Sequence, residues 1–217
     1  MKFSRKKFLQ GAAAVCGTLS AGVAFSRPGT ASASVLRPPG AIDEEEFLAR
    51  CIRCGRCGEA CPNQCIRPFT ASSGRAFSLE PGPGEEGTPA VFPRRQACNL
   101  CASDSGGELL CTAVCPTGAL TPVSKNPDDL RTNVRMGIAE IDLNLCYSYN
   151  GSSCGVCVRA CPLEGTALKA GLYERPLLDP DACVGCGLCE RSCIRYPQAI
   201  SVIPRAVNSG LRGVESA

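Results

Sequence analysis

Apolar positions along the chain come in short, interrupted runs, and none keeps a helical or strand period for long. Asp43, followed by Glu44, Glu45 and Glu46, predicts a short capped helix that runs through Arg50 and delivers Cys51 at its end. Ile138, Ile141 and Leu143 predict a short strand, Leu177-Leu178 another, and Ile200-Ser201-Val202-Ile203 a third. Between these pieces the pattern breaks. Arg37-Pro38-Pro39-Gly40 reads as an extended lead-in. Residues 66–97 read as a long Gly/Pro/Ser-rich insertion relieved only by Ala90-Val91-Phe92, and 207–217 as an unpatterned tail.

One apolar run stands apart, from Gly11 to Phe25, behind Ser4-Arg5-Lys6-Lys7-Phe8-Leu9-Gln10. It is shorter than the roughly 20 residues needed to cross a bilayer. Ala31-Ser32-Ala33 offers a small-residue cleavage site, so residues 1–33 read as a removable signal peptide and 34–217 as the working domain. An uncleaved membrane-surface anchor is the alternative, and it would add peripheral membrane association. Cys16 lies inside this segment and reads as a spectator.

Composition changes the picture. Aromatic residues make up 5% of the 217 residues and there is no Trp, while Gly and Pro number 23 and 17. A core so poor in large side chains needs staples, and 18 cysteines are available to provide them. Histidine is absent, which removes c-type haem attachment, Rieske centres, His-bearing zinc sites and His-based triads. The formal charge of +3 misleads, because Lys2, Arg5, Lys6, Lys7 and Arg27 fall in the first 33 residues with no acid beside them. The rest carries 18 of the 23 basic residues against all 20 acids. No basic stripe with interleaved aromatics remains, so a nucleic-acid partner is not expected.

The cysteines fall into four groups. The first, 51–61, is Cys51-x2-Cys54-x2-Cys57-x3-Cys61-Pro62, and the fourth, 183–193, repeats its spacing with Cys183, Cys186, Cys189 and Cys193. The second, 98–115, holds Cys98, Cys101, Cys111 and Cys115-Pro116; the third, 146–161, holds Cys146, Cys154, Cys157 and Cys161-Pro162. All four end in Cys-x3-Cys, and three continue into proline. A cubane needs thiolates converging from several directions. A tight C-x2-C-x2-C loop supplies three of them with backbone N–H groups turned toward the sulfurs, and the last cysteine leads away to the neighbouring cluster. Gly55, Gly155, Gly185 and Gly187 permit the close backbone approach. These sixteen cysteines are therefore the expected ligands of four [4Fe–4S] clusters. All-cysteine zinc sites use two C-x2-C knuckles and leave the third x2 cysteine unexplained; disulfides across such tight loops are strained. Strand, cluster loop and short helix recurring in this way predict an α+β fold of paired ferredoxin-like units.

Cys65 is left over, and reads as a small buried residue packed beside a cluster, with a substitute ligand or a reactive thiol as the alternative. Gly82-Pro83-Gly84-Glu85-Glu86-Gly87 fits G-x-G-x-x-G, but it opens no helix and its glutamates would repel a pyrophosphate, so it reads as a flexible surface loop. Asn150-Gly151-Ser152 matches a glycosylation acceptor by chance, inside a cysteine group. Asp128 and Asp129, and Glu44 to Glu46, read as solvated faces and helix N-termini. No constellation suggests a small-molecule substrate site or an enzyme.

The start Ser4-Arg5-Lys6-x-Phe8-Leu9-Gln10 resembles a twin-arginine export signal with Lys6 in place of the second arginine. With Arg37-Pro38-Pro39-Gly40, Cys51-Ile-Arg-Cys-Gly-Arg-Cys57, the x7 opening of the third group and Cys183-Val-Gly-Cys-Gly-Leu-Cys189, the chain resembles the exported ferredoxin-type proteins of periplasmic nitrate reductase and methylamine dehydrogenase systems, the NapG/MauM family. Ile194 stands where a proline would follow Cys193. The resemblance implies a periplasmic protein that passes single electrons between a membrane-bound quinol-oxidising ferredoxin-type protein and a downstream redox protein, or one that matures a periplasmic dehydrogenase. The second group also resembles electron-transfer subunits of molybdopterin oxidoreductases. That likeness implies group one sharing clusters with four and two with three: Cys51, Cys54, Cys57 with Cys193; Cys183, Cys186, Cys189 with Cys61; Cys98, Cys101, Cys111 with Cys161; Cys146, Cys154, Cys157 with Cys115. Pairing of adjacent groups is the alternative.

Overall fold

In the computed structural model, residues 35–205 are described; the expected export signal with Cys16, and the expected tail, lie outside the described residues. Helix α1 (Glu44–Arg50) forms where the sequence predicts. The Asp43 carboxylate accepts from the Glu45 N–H at 3.2 Å, three glutamates occupy the first turn and Arg50 the last. Its inner face buries Phe47 completely, and Cys51 closes it by donating to the Phe47 carbonyl.

The remaining helices are single turns or little more: α2 (Arg56–Glu59), α3 (Ala71–Arg75), α4 (Leu110–Ala113), α5 (Pro127–Asn133), α6 (Val156–Arg159) and α7 (Leu188–Ser192). Helices this short are marginal alone and depend on tertiary packing. Strands β1 (Ile66–Pro68) and β2 (Pro89–Val91) pair antiparallel, as do β3 (Gly137–Ile141) with β6 (Ile200–Pro204), and β4 (Leu168–Ala170) with β5 (Pro176–Leu178). In the longest ladder Gly137 faces Pro204 and Ile141 faces Ile200, so Ile200 and Val202 turn inward while Ile203 is exposed. The predicted strands at 177–178 and 200–203 are present. The one beginning near Ile138 stops at Ile141 and leaves Leu143 exposed. Mixed short helices and two-stranded sheets make the described residues α+β, as expected. Among them no helix is long and apolar enough to cross a membrane.

The main core joins aliphatic side chains such as Leu36, Val123, Leu130, Val134 and Ile200 with cysteines, including Cys61, Cys98, Cys111 and Cys186. Thiols thus replace much of the missing aromatic volume.

The insertion 66–97 has a core of its own: β1 and β2 pair across it, and Phe69, Ala90 and Phe92 pack with Val35, Phe77 and Leu79 into a second small cluster. Phe77 stacks on Phe92 at 5.0 Å between centroids, and Phe69 meets it edge-on at 6.0 Å. Two expectations need correction: Glu44 is not on a solvated face, and Glu85 does not sit in a flexible surface loop. Both surround the buried Arg37 guanidinium, whose Nε lies 3.0 Å from Glu44 Oε2, Nη2 3.2 Å from Glu85 Oε1 and Nη1 2.8 Å from Thr88 Oγ1. Glu85 Oε2 also accepts from the Gly82 N–H at 2.6 Å, so the G-x-G-x-x-G stretch is a tied turn rather than a flexible loop. A buried charge must be paired, and here one arginine from the lead-in binds α1 and the insertion together.

Candidate iron–sulfur centres

Four of the short helices carry a cysteine: Cys57 on α2, Cys111 on α4, Cys157 on α6 and Cys189 on α7. Because α2 packs on α4 and α6 on α7, cysteine groups meet in adjacent pairs. Cys51, Cys54 and Cys57 share a cavity of about 220 Å³ with Cys115. Cys61 leaves this set and joins Cys98 and Cys101 around Cys111; on top of burial these three push its thiol up, and Cys57 of the neighbouring set adds a smaller push. The second half repeats the exchange. Cys146, Cys154 and Cys157 line a cavity with Cys193, and Cys183, Cys186 and Cys189 line one with Cys161.

The sharing of group one with four and two with three is therefore overturned. The β1–β2 pair folds the chain back after Cys61, which returns group two to α2 and leaves groups three and four to close on each other. The last cysteine of each group does cross to a neighbouring set, as its spacing predicts.

The halves join through the second and fourth groups. The Cys98 N–H donates to the Cys186 carbonyl at 3.0 Å, and the Met136 N–H to the Val184 carbonyl at 3.1 Å. Gly185 (φ +72°) runs so close to Gly137 that a Cβ on it would stand 2.2 Å from the Gly137 nitrogen. A Cβ on Gly187 (φ +85°) would meet Pro93 at 2.7 Å. Here the expected close approach is between protein segments. The four sets thus follow in spatial order, that of Cys57, that of Cys111, that of Cys189 and that of Cys157. The Cys111 set is buried throughout, while Cys54 of the first set is exposed.

Charge and hydrogen bonding suit thiolates that gain a cationic partner. Burial pushes Cys57 up to about 11, against a backbone N–H from Gly58 and with further push from Cys51, Cys54 and Cys115. Burial likewise lifts Cys157 to about 11 and Cys186 to about 12, with the neighbouring thiols adding to both. Burial also raises Cys101, Cys111, Cys161 and Cys189. Backbone N–H groups point at the sulfurs: Leu100 serves Cys98, Leu110 serves Cys101, Leu163 serves Cys161 and Leu188 serves Cys186. Burial works against the Cys115 thiolate too, but N–H groups of Leu120, Thr117 and Ala119 outweigh it and lower that thiol. Among the described residues no three Cys, Asp or Glu side chains close tightly enough on one point to hold a single ion. Four thiols standing around a space with N–H groups behind them fit a polynuclear iron–sulfur group better than one zinc ion.

Cys65 is buried where expected, its sulfur 3.5 Å from that of Cys61. Hydrogen bonds to Cys61 and Cys98 raise Cys65, and the same contacts lower Cys98 and hold Cys61 down near about 5. Two polar groups near the thiols carried no sequence signal. Lys125 donates to the Cys101 carbonyl at 3.1 Å and to Asp104 Oδ2 at 2.8 Å, placing a cation beside the second set. Glu190, buried on α7, accepts from Val202 N–H at 2.7 Å and from Arg94 Nε at 2.9 Å. The Asn150 amide is occupied as well, donating to the carbonyls of Leu143 and Cys146 at 2.8 Å and closing the x7 loop.

Comparison with known proteins points to iron–sulfur binding. A family model described as a 4Fe–4S dicluster domain matches residues 50–119, the span that holds the first and second groups. The methylamine utilization ferredoxin-type protein MauM of Methylophilus methylotrophus is 38% identical over 99% of this chain and 91% of its own length. MauM of Methylobacillus flagellatus is 37% identical over 95% of this chain and 84% of its own. The ferredoxin-type protein NapG of Escherichia coli K12 is 35% identical over 96% and 89%.

Proposed function

The chain belongs to the family of ferredoxin-type proteins that includes MauM and NapG, and from that premise we propose that it is an electron carrier holding four [4Fe–4S] clusters in a line. Cys51, Cys54, Cys57 and Cys115 hold the first; Cys61, Cys98, Cys101 and Cys111 the second; Cys161, Cys183, Cys186 and Cys189 the third; Cys146, Cys154, Cys157 and Cys193 the fourth. The observation that carries the reading is the exchange of the last cysteine between packed neighbours, which builds four sets of four thiols joined end to end.

Bound in these sets, such clusters supply one-electron chemistry at potentials within about −700 to +450 mV. The chain's own part is to fix their spacing. Residues 56–59, 110–113, 156–159 and 188–192 hold the sets at helix-packing distance, and the Cys98–Cys186 backbone bond keeps the two halves together. The polypeptide has no substrate to convert in this role. Residues 1–33 act as a twin-arginine-type export signal, which places the carrier in the periplasm between a quinol-oxidising membrane donor and a downstream redox protein. The MauM relatives are named for methylamine utilization, so an amine-oxidising system is the first partner to try.

Anaerobically purified protein should contain about sixteen iron atoms per chain and give spin-coupled cubane EPR signals on reduction. Zinc without iron would reject the reading. Normal electron transfer with loss of cofactor insertion in a deletion strain would select dehydrogenase maturation instead.

A further inference from the structure

Of the two terminal sets, the one around Cys57 opens to solvent through a rim with a distinct character. Cys54 is the one exposed cysteine among the described residues. Around it stand Ile52, 62% exposed, and Arg53, Arg56 and Arg67, all exposed. No carboxylate lines this opening; the nearby Glu59 and Glu86 stay outside it. Arg53 is held there in a left-handed conformation (φ +57°), donating to the carbonyls of Gly84 at 2.7 Å, Glu86 at 2.9 Å and Cys51 at 3.3 Å. Its charge is fixed in place, and among the described residues no acid pairs with it. Among the described residues neither Arg56 nor Arg67 takes part in an ion pair.

Three unneutralised arginines around an exposed isoleucine are conspicuous because residues 34–217 carry more acids than bases. A positive rim over an apolar centre steers and orients a negatively charged partner, raising its association rate by about 10- to 1,000-fold at low salt. The opposite terminal set is bordered differently, by Tyr147, by Ile194, 65% exposed, and by one arginine, Arg195, which lies over the Tyr147 ring rather than in a cluster of three.

Resting on the electron-carrier reading, we propose that the Ile52–Arg53–Arg56–Arg67 rim is the docking surface for an acidic electron-transfer protein, which exchanges electrons with the centre at Cys51, Cys54, Cys57 and Cys115. One electron leaves the reduced partner and reduces this centre, with no bond made or broken.

The test uses the full, iron-loaded chain and an acidic flavodoxin, reduced beforehand, as the probe. Stopped-flow reduction should be fast at low salt and slow steeply as salt rises. Arg56→Glu combined with Arg67→Glu should lower the low-salt rate at least about tenfold, and the two proteins should converge at high salt. Their iron content and reduction by a small neutral donor should be equal. Unchanged flavodoxin rates in a fully iron-loaded variant, or a wild-type rate indifferent to salt, would overturn the docking surface alone. Protein without iron would overturn the carrier reading and the surface with it.

Discussion

The sulfur of Cys65 lies 3.5 Å from that of Cys61 and also hydrogen-bonds Cys98, so one thiol outside the four sets touches two members of the second. Hydrogen bonds to ligand sulfurs are one of the levers on cluster potential. Cys65→Ala should keep the full iron complement while moving one cluster to a more negative potential in an EPR-monitored titration. Cys65→Ser, which retains a donor, should move it less. Loss of a cluster in Cys65→Ala would instead make Cys65 a ligand.

Arg37 bonds the buried carboxylates of both Glu44 and Glu85. Removing it takes a charge partner from each. Arg37→Met should cost about 3–5 kcal/mol in unfolding of the cluster-loaded protein. Combining it with Glu44→Gln and Glu85→Gln should recover part of the loss.

Gly185 and Gly84 make a controlled pair. Both have positive φ, but a Cβ on Gly84 has open space around it, whereas one on Gly185 collides with the Gly137 backbone. Gly84→Ala should cost about 1 kcal/mol. Gly185→Ala should cost well over that and release iron from the Cys161 set first, since it forces apart the contact where the two halves meet.

Burial favours the protonated thiols of Cys57 and Cys157, raising each from 9.0 to about 11. In cluster-free protein the folded state therefore keeps protons that the unfolded chain has lost once pH passes about 9. This stabilisation is complete below pH 9 and disappears as pH rises through 11. Circular dichroism melts of apoprotein should fall across that window, and iron-loaded protein, whose thiols are already deprotonated, should not follow the same curve.

Much of this was legible because cysteine spacing is dictated by the geometry of the group it holds. The four groups, the crossing of each last cysteine, the α1 helix with its Asp43 cap and the strand at 200–203 all depend on local pattern. What was hidden depends on distance in sequence. Nothing near Glu44 or Glu85 announces that Arg37 will bury both, and Phe69, Phe77 and Phe92 look scattered until β1 and β2 pair. The pairing of groups belongs to this class. Identical motifs carry no label for their partner; the fold-back at β1–β2 and the packing of α2 on α4 decide it.

That pairing is tested most directly with two double variants, read by iron content and EPR. Cys57→Ala with Cys115→Ala should disturb a single cluster, because both residues serve the same set. Cys57→Ala with Cys193→Ala should disturb two, since Cys193 stands with Cys146, Cys154 and Cys157. The reverse outcome, two clusters lost in the first protein and one in the second, would contradict the arrangement.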